Sequence, residues 1–276
     1  MRRINLTTLC CIIFAATAAY SQTPSEVLTP GAGYVALGSS FAAGPGISEQ
    51  LGTCGRSDHN YSNLVATALN LTLTDVSCNG ATIDNIRNTP QRDTPPQIDA
   101  ISADTALVTV TIGGNDINYT SSTFACSGTA ESERCTANLD RATINNNLSL
   151  LPGELGAMLD EIKAKAPQAI VVLVAYPRVF PFDAINCSEL ELSAEDTAYL
   201  ADLGQKLEGV FVSVTSNRQV AIADAYVGAA GHGPCVSPAD RWVNGANVAE
   251  SGIRYHPTAQ GHIEMARLVL ATLGDN

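Results

Sequence analysis

Tyr34-Val35-Ala36-Leu37-Gly38-Ser39-Ser40-Phe41 is the stretch that decides the architecture of this 276-residue chain. Four uncharged residues suited to a buried strand end at a glycine, and two serines follow at once. In an open parallel sheet such a strand delivers its functional groups to the loop at its carboxyl end. The segment that answers it lies at the far end of the chain, His256-Pro257-Thr258-Ala259-Gln260-Gly261-His262. A serine hydroxyl is a poor nucleophile at neutral pH without a base, and histidine is the usual base. A fold that joins the two must return its C-terminal segment to its first strand.

Between these ends, apolar and β-branched runs recur at residues 34–37, 71–76, 106–112, 169–175 and 219–223. Near-continuous apolar runs of this length suit parallel strands covered on both faces. Helical periodicity marks residues 62–69, 148–164, 194–212 and 258–273, with Leu200, Leu203, Leu207 and Val210 as the inward stripe of the third. Strands alternating with helices predict an α/β fold: a three-layer αβα sandwich of flavodoxin-like type on a five-stranded parallel sheet. Residues 88–96, with their prolines, and the glycine-rich 228–238 read as loops, and 118–138 as a polar excursion pinned by Cys126 and Cys135.

Residues 1–20 read as a signal peptide, with Arg2 and Arg3 ahead of an apolar stretch from Leu9 to Ala19 and cleavage between Ala18 and Gln22. The remainder, 21–276, is long enough for a single large domain, and the expected location is extracellular. Six cysteines remain beyond the leader: Cys54, Cys78, Cys126, Cys135, Cys187 and Cys235. An even count in an exported chain predicts three disulfides, although six cysteines allow 15 connectivities. Pairing in sequence order is expected, most firmly for Cys126 with Cys135, which only eight residues separate. No CxxC spacing occurs and only four histidines are present, so neither a metal nor another cofactor is expected.

Sequons at Asn60, Asn70, Asn118 and Asn147 fit a secreted glycoprotein, while the one at Asn186 is disfavoured by its neighbour Cys187. The formal net charge is −12 and becomes more acidic once Arg2 and Arg3 leave. Without basic clusters this excludes a nucleic-acid partner and disfavours anionic membranes. No segment beyond the leader is long and apolar enough for an integral membrane span, and a monomer is expected.

Each chemically loaded segment follows a strand or opens the last helix: Ser39 and Ser40, Cys78-Asn79-Gly80, Gly113-Gly114-Asn115-Asp116, and His256. In that order, GSS at 38–40, Gly80 within SCNGATIDNI, GGND at 113–116 and HPTAQGH at 256–262 resemble the four sequence blocks of the SGNH (GDSL-type) hydrolase superfamily. The six-cysteine layout is similar to that of its secreted microbial esterase, lipase and phospholipase branch. The resemblance implies an acyl-transferring serine esterase acting on a small-molecule or lipid ester. It assigns Ser40 as nucleophile, His256 as general base, and the N–H groups of Ser40 and Gly80 with the Asn115 amide as oxyanion donors. Such donors carry no charge, and loss of one typically costs about 2.7–4 kcal/mol in the transition state.

Two departures from the family pattern stand out. Ser39 replaces the aspartate that precedes the nucleophile, and Ile253 occupies the position, three before the histidine, where many members carry an acid. A Ser40–His256 dyad is therefore expected, with the backbone carbonyl of Ile253 orienting the imidazole and Asp240 a weaker substitute. Read singly, the serines fit a helix cap, 113–116 a turn, and His256 a helix start. His262, His59 and His232 read as structural or exposed residues, and Asp116 as a brace for the Asn115 turn. Two other readings compete. One is a catalytically inactive secreted lipid- or glycan-binding protein with the same fold; the other is an α/β-hydrolase, disfavoured because G-S-S-F-A lacks the final glycine of that fold's elbow. Aromatic residues make up 5% of the chain, which argues against a broad sugar-stacking face.

Overall fold

Successive side chains of a strand point to opposite faces, and the first strand, β1 (Gly33–Gly38), is buried on both. Tyr34 and Ala36 enter one core, and Val35 and Leu37 enter the other. The computed structural model describes residues 27–128, 135–181, 187–218 and 220–274. Its sheet continues with β2 (Thr72–Asp75), β3 (Thr105–Thr111), β4 (Ile170–Val174) and β5 (Ala221–Ala223). All four pairings are parallel, in the spatial order β2-β1-β3-β4-β5. The helices are α1 (Ser40–Ala43), α2 (Tyr61–Leu69), α3 (Ile83–Arg87), α4 (Tyr119–Cys126), α5 (Arg141–Lys165), α6 (Ala194–Ser216), α7 (Ala225–Gly228) and α8 (Ala259–Gly274).

One face of the sheet packs Val35, Leu37, Val108, Val110 and Leu173 against Leu151, Leu155 and Leu159 of α5 and Leu203, Leu207 and Phe211 of α6. The other packs Tyr34, Ala36, Leu107 and Val172 against Val65 of α2 and Met265 and Val269 of α8. The expected three-layer αβα sandwich is thus the observed fold. Its last helix lies on the same face as α2, which brings the C-terminal segment back to β1 as the chemistry requires.

Several local expectations need adjustment. The edge strand β2 is only partly covered, alternating between half-buried and exposed residues, because it has a neighbour on one side only. On α6, Phe211 completes the buried stripe and Val210 only flanks it. Helix α5 starts at Arg141, where the Asp140 side chain accepts from the Thr143 N–H; the polar run that follows hides this start from an apolar period. Residues 118–138 contain α4, whose buried residues Tyr119, Ser122, Thr123 and Cys126 have helical spacing but are largely polar or small.

The three disulfides pair in sequence order, Cys54–Cys78, Cys126–Cys135 and Cys187–Cys235, with Cα atoms 4.4, 5.2 and 5.7 Å apart. Each contributes about 2–4 kcal/mol. Residues 1–20 of the expected leader, Gln219 and the Asn186 sequon lie outside the described residues. Among the described residues no helix is long and apolar enough to cross a membrane. Of the sequon asparagines, Asn60 is buried and its amide donates to Ala43 and Asp75, so it is closed to modification in the fold, whereas Asn70 is exposed.

Candidate active site

The turn after β1 is held from two directions. Gln97 clamps Gly38, its Oε1 accepting from the Gly38 N–H at 2.8 Å and its Nε2 donating to the Gly38 carbonyl at 3.0 Å. The Ser39 N–H donates to the Thr111 carbonyl at the end of β3, at 2.9 Å. Gly38 has φ +140°, and a Cβ there would lie 2.5 Å from the Thr111 oxygen, so no other residue fits. Ser40 then opens α1, buried, with its hydroxyl directed at the C-terminal segment.

His256 meets it there. Its Nε2 lies 2.8 Å from Ser40 Oγ, and its Nδ1 lies 2.8 Å from a backbone carbonyl. A carbonyl only accepts, so Nδ1 carries the proton and Nε2 is the lone-pair nitrogen that takes the Ser40 O–H. That carbonyl belongs to Arg254, not to Ile253 as expected. Tyr255 sits in the left-handed region at φ +56°, which turns the Arg254 oxygen toward the ring. The Ile253 oxygen instead accepts the backbone N–H of His256 at 3.3 Å. Asp240 takes no part in orienting the ring; its carboxylate accepts from Ser237. Phe41 and Phe124 flank the imidazole, with centroids 4.6 and 5.9 Å away. Burial pushes the His256 pKa down to about 4, against the opposing pull of the Arg254 carbonyl, so the ring is neutral at pH 7.

Two further turns close around this pair. After β2, the Cys78 N–H donates to the Gly38 carbonyl and the Cys54–Cys78 bridge ties down the same segment. Gly80 follows at φ +84°, where a side chain would be strained. After β3, Asn115 donates from Nδ2 to the Ala81 carbonyl at 2.8 Å, fastening the two turns together. Asp116 braces this junction: its Oδ1 accepts from the Ile83 N–H at 2.9 Å, and its carbonyl accepts from Asn147 at 2.9 Å. Burial raises the Asp116 pKa to about 6. Among the described residues nothing accepts from the backbone N–H of Ser40 or Gly80. A cleft of about 370 Å³ borders Asn115, lined also by Thr82, Ile83, Arg87 and Asn147.

Ser39 does not touch His256; its Oγ lies 3.1 Å from the hydroxyl of Tyr176. The remaining histidines have local roles. His262 is buried and accepts the Tyr61 N–H at Nδ1, at 3.1 Å, and burial pushes its pKa down to about 3. His59 pairs with Asp58 at the surface, and His232 stacks on Trp242. Among the described residues no group of three or more His, Cys, Asp or Glu is placed to hold a metal ion. Tyr176, Gln97, Phe41 and Phe124 are additions that the motifs did not mark. Tyr176 was within reach of the strand-end rule, because it stands two residues beyond β4.

A parallel α/β sandwich with a serine hydroxyl and a lone-pair imidazole nitrogen in contact at the carboxyl edge of its sheet has the design of an ester-bond hydrolase. The chain belongs to the GDSL-like Lipase/Acylhydrolase family, whose sequence model matches residues 36–262. It is 29% identical over 293 residues to Lipase 2 of Streptomyces coelicolor, covering 99% of this chain and 98% of that one. Among solved structures it is similar to phospholipase A1 from Streptomyces albidoflavus, with a TM-score of 0.73, 26% identity and coverage of 88% of this chain and 99% of that one. The extracellular lipase of Streptomyces rimosus superposes with a TM-score of 0.74 at 25% identity, covering 88% of this chain and all of the other, 100%.

Proposed function

We propose that the protein is a secreted serine carboxylic-ester hydrolase that works through an acyl-enzyme on Ser40 with His256 as base. The observation that carries this reading is the 2.8 Å contact between Ser40 Oγ and His256 Nε2, in an imidazole whose other nitrogen is committed to the Arg254 carbonyl. In the first half-reaction Ser40 Oγ bonds to the ester carbonyl carbon as its proton passes to Nε2. The tetrahedral oxyanion is held by the Ser40 and Gly80 N–H groups and the Asn115 amide. Collapse breaks the bond to the alcohol, which leaves with the proton from His256. In the second half-reaction water loses a proton to Nε2 as its oxygen attacks the acyl carbon. Collapse breaks the bond to Ser40 Oγ, which takes the proton back from His256, and releases the carboxylic acid. A neutral carbonyl stabilises the transient imidazolium less than a carboxylate does, so this is a dyad.

Secretion is supported by the leader-like residues 1–20 and by three disulfides. We read 21–276 as the hydrolase domain, acting as a monomer, with Asn70 the sequon best exposed to a glycan. The relatives named lipase and phospholipase A1 favour a lipid ester as substrate. The test is hydrolysis of a short-chain nitrophenyl ester by disulfide-intact protein. Ser40→Ala should abolish turnover and labelling by a fluorophosphonate, whereas Ser39→Ala should still be labelled. A wild type that neither turns over nor labels would revive the reading as a catalytically inactive binding protein. Profiling acyl chains from acetyl to palmitoyl, with a phospholipid and an acetylated polysaccharide alongside, then separates the substrate classes.

A further inference from the structure

Ser39 stands where the family pattern has an aspartate, and its partner is a tyrosine from a different strand end. The Tyr176 hydroxyl lies 3.1 Å from Ser39 Oγ and accepts the backbone N–H of Gly114 at 3.2 Å. One phenol oxygen therefore links the turn that carries Ser40 to the turn that carries Asn115. The phenol oxygen accepts from Gly114, and either hydroxyl can donate across the contact with Ser39. Burial keeps that phenol protonated at every working pH.

The ring is fixed as firmly as the hydroxyl. Its centroid lies 4.5 Å from that of Phe41, which in turn lies 4.6 Å from that of His256. Phe211 of α6 stacks at 6.1 Å. A Cβ on Gly114 would meet the ring at 3.0 Å, so the glycine at this position makes room for the tyrosine to press against the backbone. Tyr176 thus touches the nucleophile turn and the oxyanion turn directly, and touches the base through one intervening ring.

We propose that Tyr176 is a positioning residue that sets the spacing between the nucleophile turn and the oxyanion turn, with the neutral Ser39 hydroxyl as its partner in place of a carboxylate. The inference rests on the reading of Ser40 as nucleophile and Asn115 as oxyanion donor. Tyr176 contributes no atom to the reaction; it holds Ser40 and Asn115 where the tetrahedral oxyanion will form. Small displacements of such groups weaken transition-state binding far more than ground-state binding.

The experiment is steady-state hydrolysis of nitrophenyl butyrate by the wild type, Tyr176→Phe, Ser39→Ala and the double variant, with thermal melting of each. Tyr176→Phe keeps the ring and removes only the link. Its kcat should fall about 10- to 100-fold with KM within about two-fold, and the double variant should be no slower than the worse single one. A Tyr176→Phe enzyme within about two-fold of wild-type kcat, or losses that multiply in the double variant, would overturn the proposal. If Tyr176→Phe does not fold, Ser39→Ala reads the same link, and an undiminished kcat there overturns it equally. An active wild type with unaffected variants sinks this proposal alone, whereas an inactive wild type sinks the esterase reading beneath it.

Discussion

The Arg254 carbonyl accepts the Nδ1 proton of His256 at 2.8 Å, and among the described residues no carboxylate hydrogen-bonds to the imidazole. The ring is buried between two phenylalanines, and that burial lowers its pKa to about 4. Nε2 is therefore free to accept a proton over the whole range above that value. We expect the acid limb of kcat/KM to fall as pH drops through about 4, not through the ordinary imidazole value of 6.5. Rates of nitrophenyl ester hydrolysis between pH 3.5 and 8 decide this; a limb centred near 6.5 would mean that the ring is more hydrated in solution.

Ser40→Ala should lower kcat by roughly 10⁵- to 10⁶-fold, and adding His256→Ala should cost little more, since groups that act as one unit lose their effect together. Losses that multiply in single-turnover assays of the two single variants and the pair would show that the residues work separately.

Asn115→Ala should cut kcat by about 10²–10³-fold if its amide faces the oxyanion. The side chain also holds the Ala81 carbonyl, so part of the loss could come from a loosened Gly80 turn. A phosphonate inhibitor separates the two effects. A lost oxyanion donor slows phosphonylation of Ser40 while leaving the melting temperature near wild type, whereas a loosened turn lowers both.

Much of this was legible in the chain itself, for definable reasons. Ser40 and Asn115 sit where the buried strands β1 and β3 end, and Gly80 follows the edge strand β2, so the pattern that locates the sheet also locates all three. Gln97 escaped because its partner, Gly38, is a backbone group of a distant segment, which leaves no sequence pattern; the strand-end rule reaches the position of Tyr176 but not its contact with the Gly114 N–H. Helix α4 escaped because Ser122 and Thr123 occupy its inward face. The choice of Arg254 over Ile253 depends on one left-handed residue, Tyr255. Tyrosine rarely adopts that conformation, and nothing in its neighbours announces it.

Gly38→Ala should destabilise the protein by about 3 kcal/mol or more, because the new methyl group meets the Thr111 carbonyl and φ is positive. Urea denaturation checks this. A loss below about 1 kcal/mol would mean that β1 can shift against β3 without disturbing the sheet.

Glu208 offers a test of stability against pH. It lies on α6 with both carboxylate oxygens buried and unpartnered among the described residues. Burial, with a smaller push from Asp224, raises its pKa from 4.5 to about 7. A raised carboxylate pKa means that the fold prefers the protonated form, so the cost is absent below the unfolded value and grows as pH rises toward the folded one. His256 and His262 act with the opposite slope: their lowered values, about 4 and about 3, make the fold lose stability as pH falls below 6.5. Glu208→Gln removes only the first effect. Its melting temperature should exceed that of the wild type at pH 8, by roughly 2–4 °C for each kcal/mol of burial cost removed. The gain should vanish near pH 4, where both side chains are neutral. Differential scanning calorimetry at the two pH values measures it, and a gain equal at both would show that packing, not charge, separates the variants.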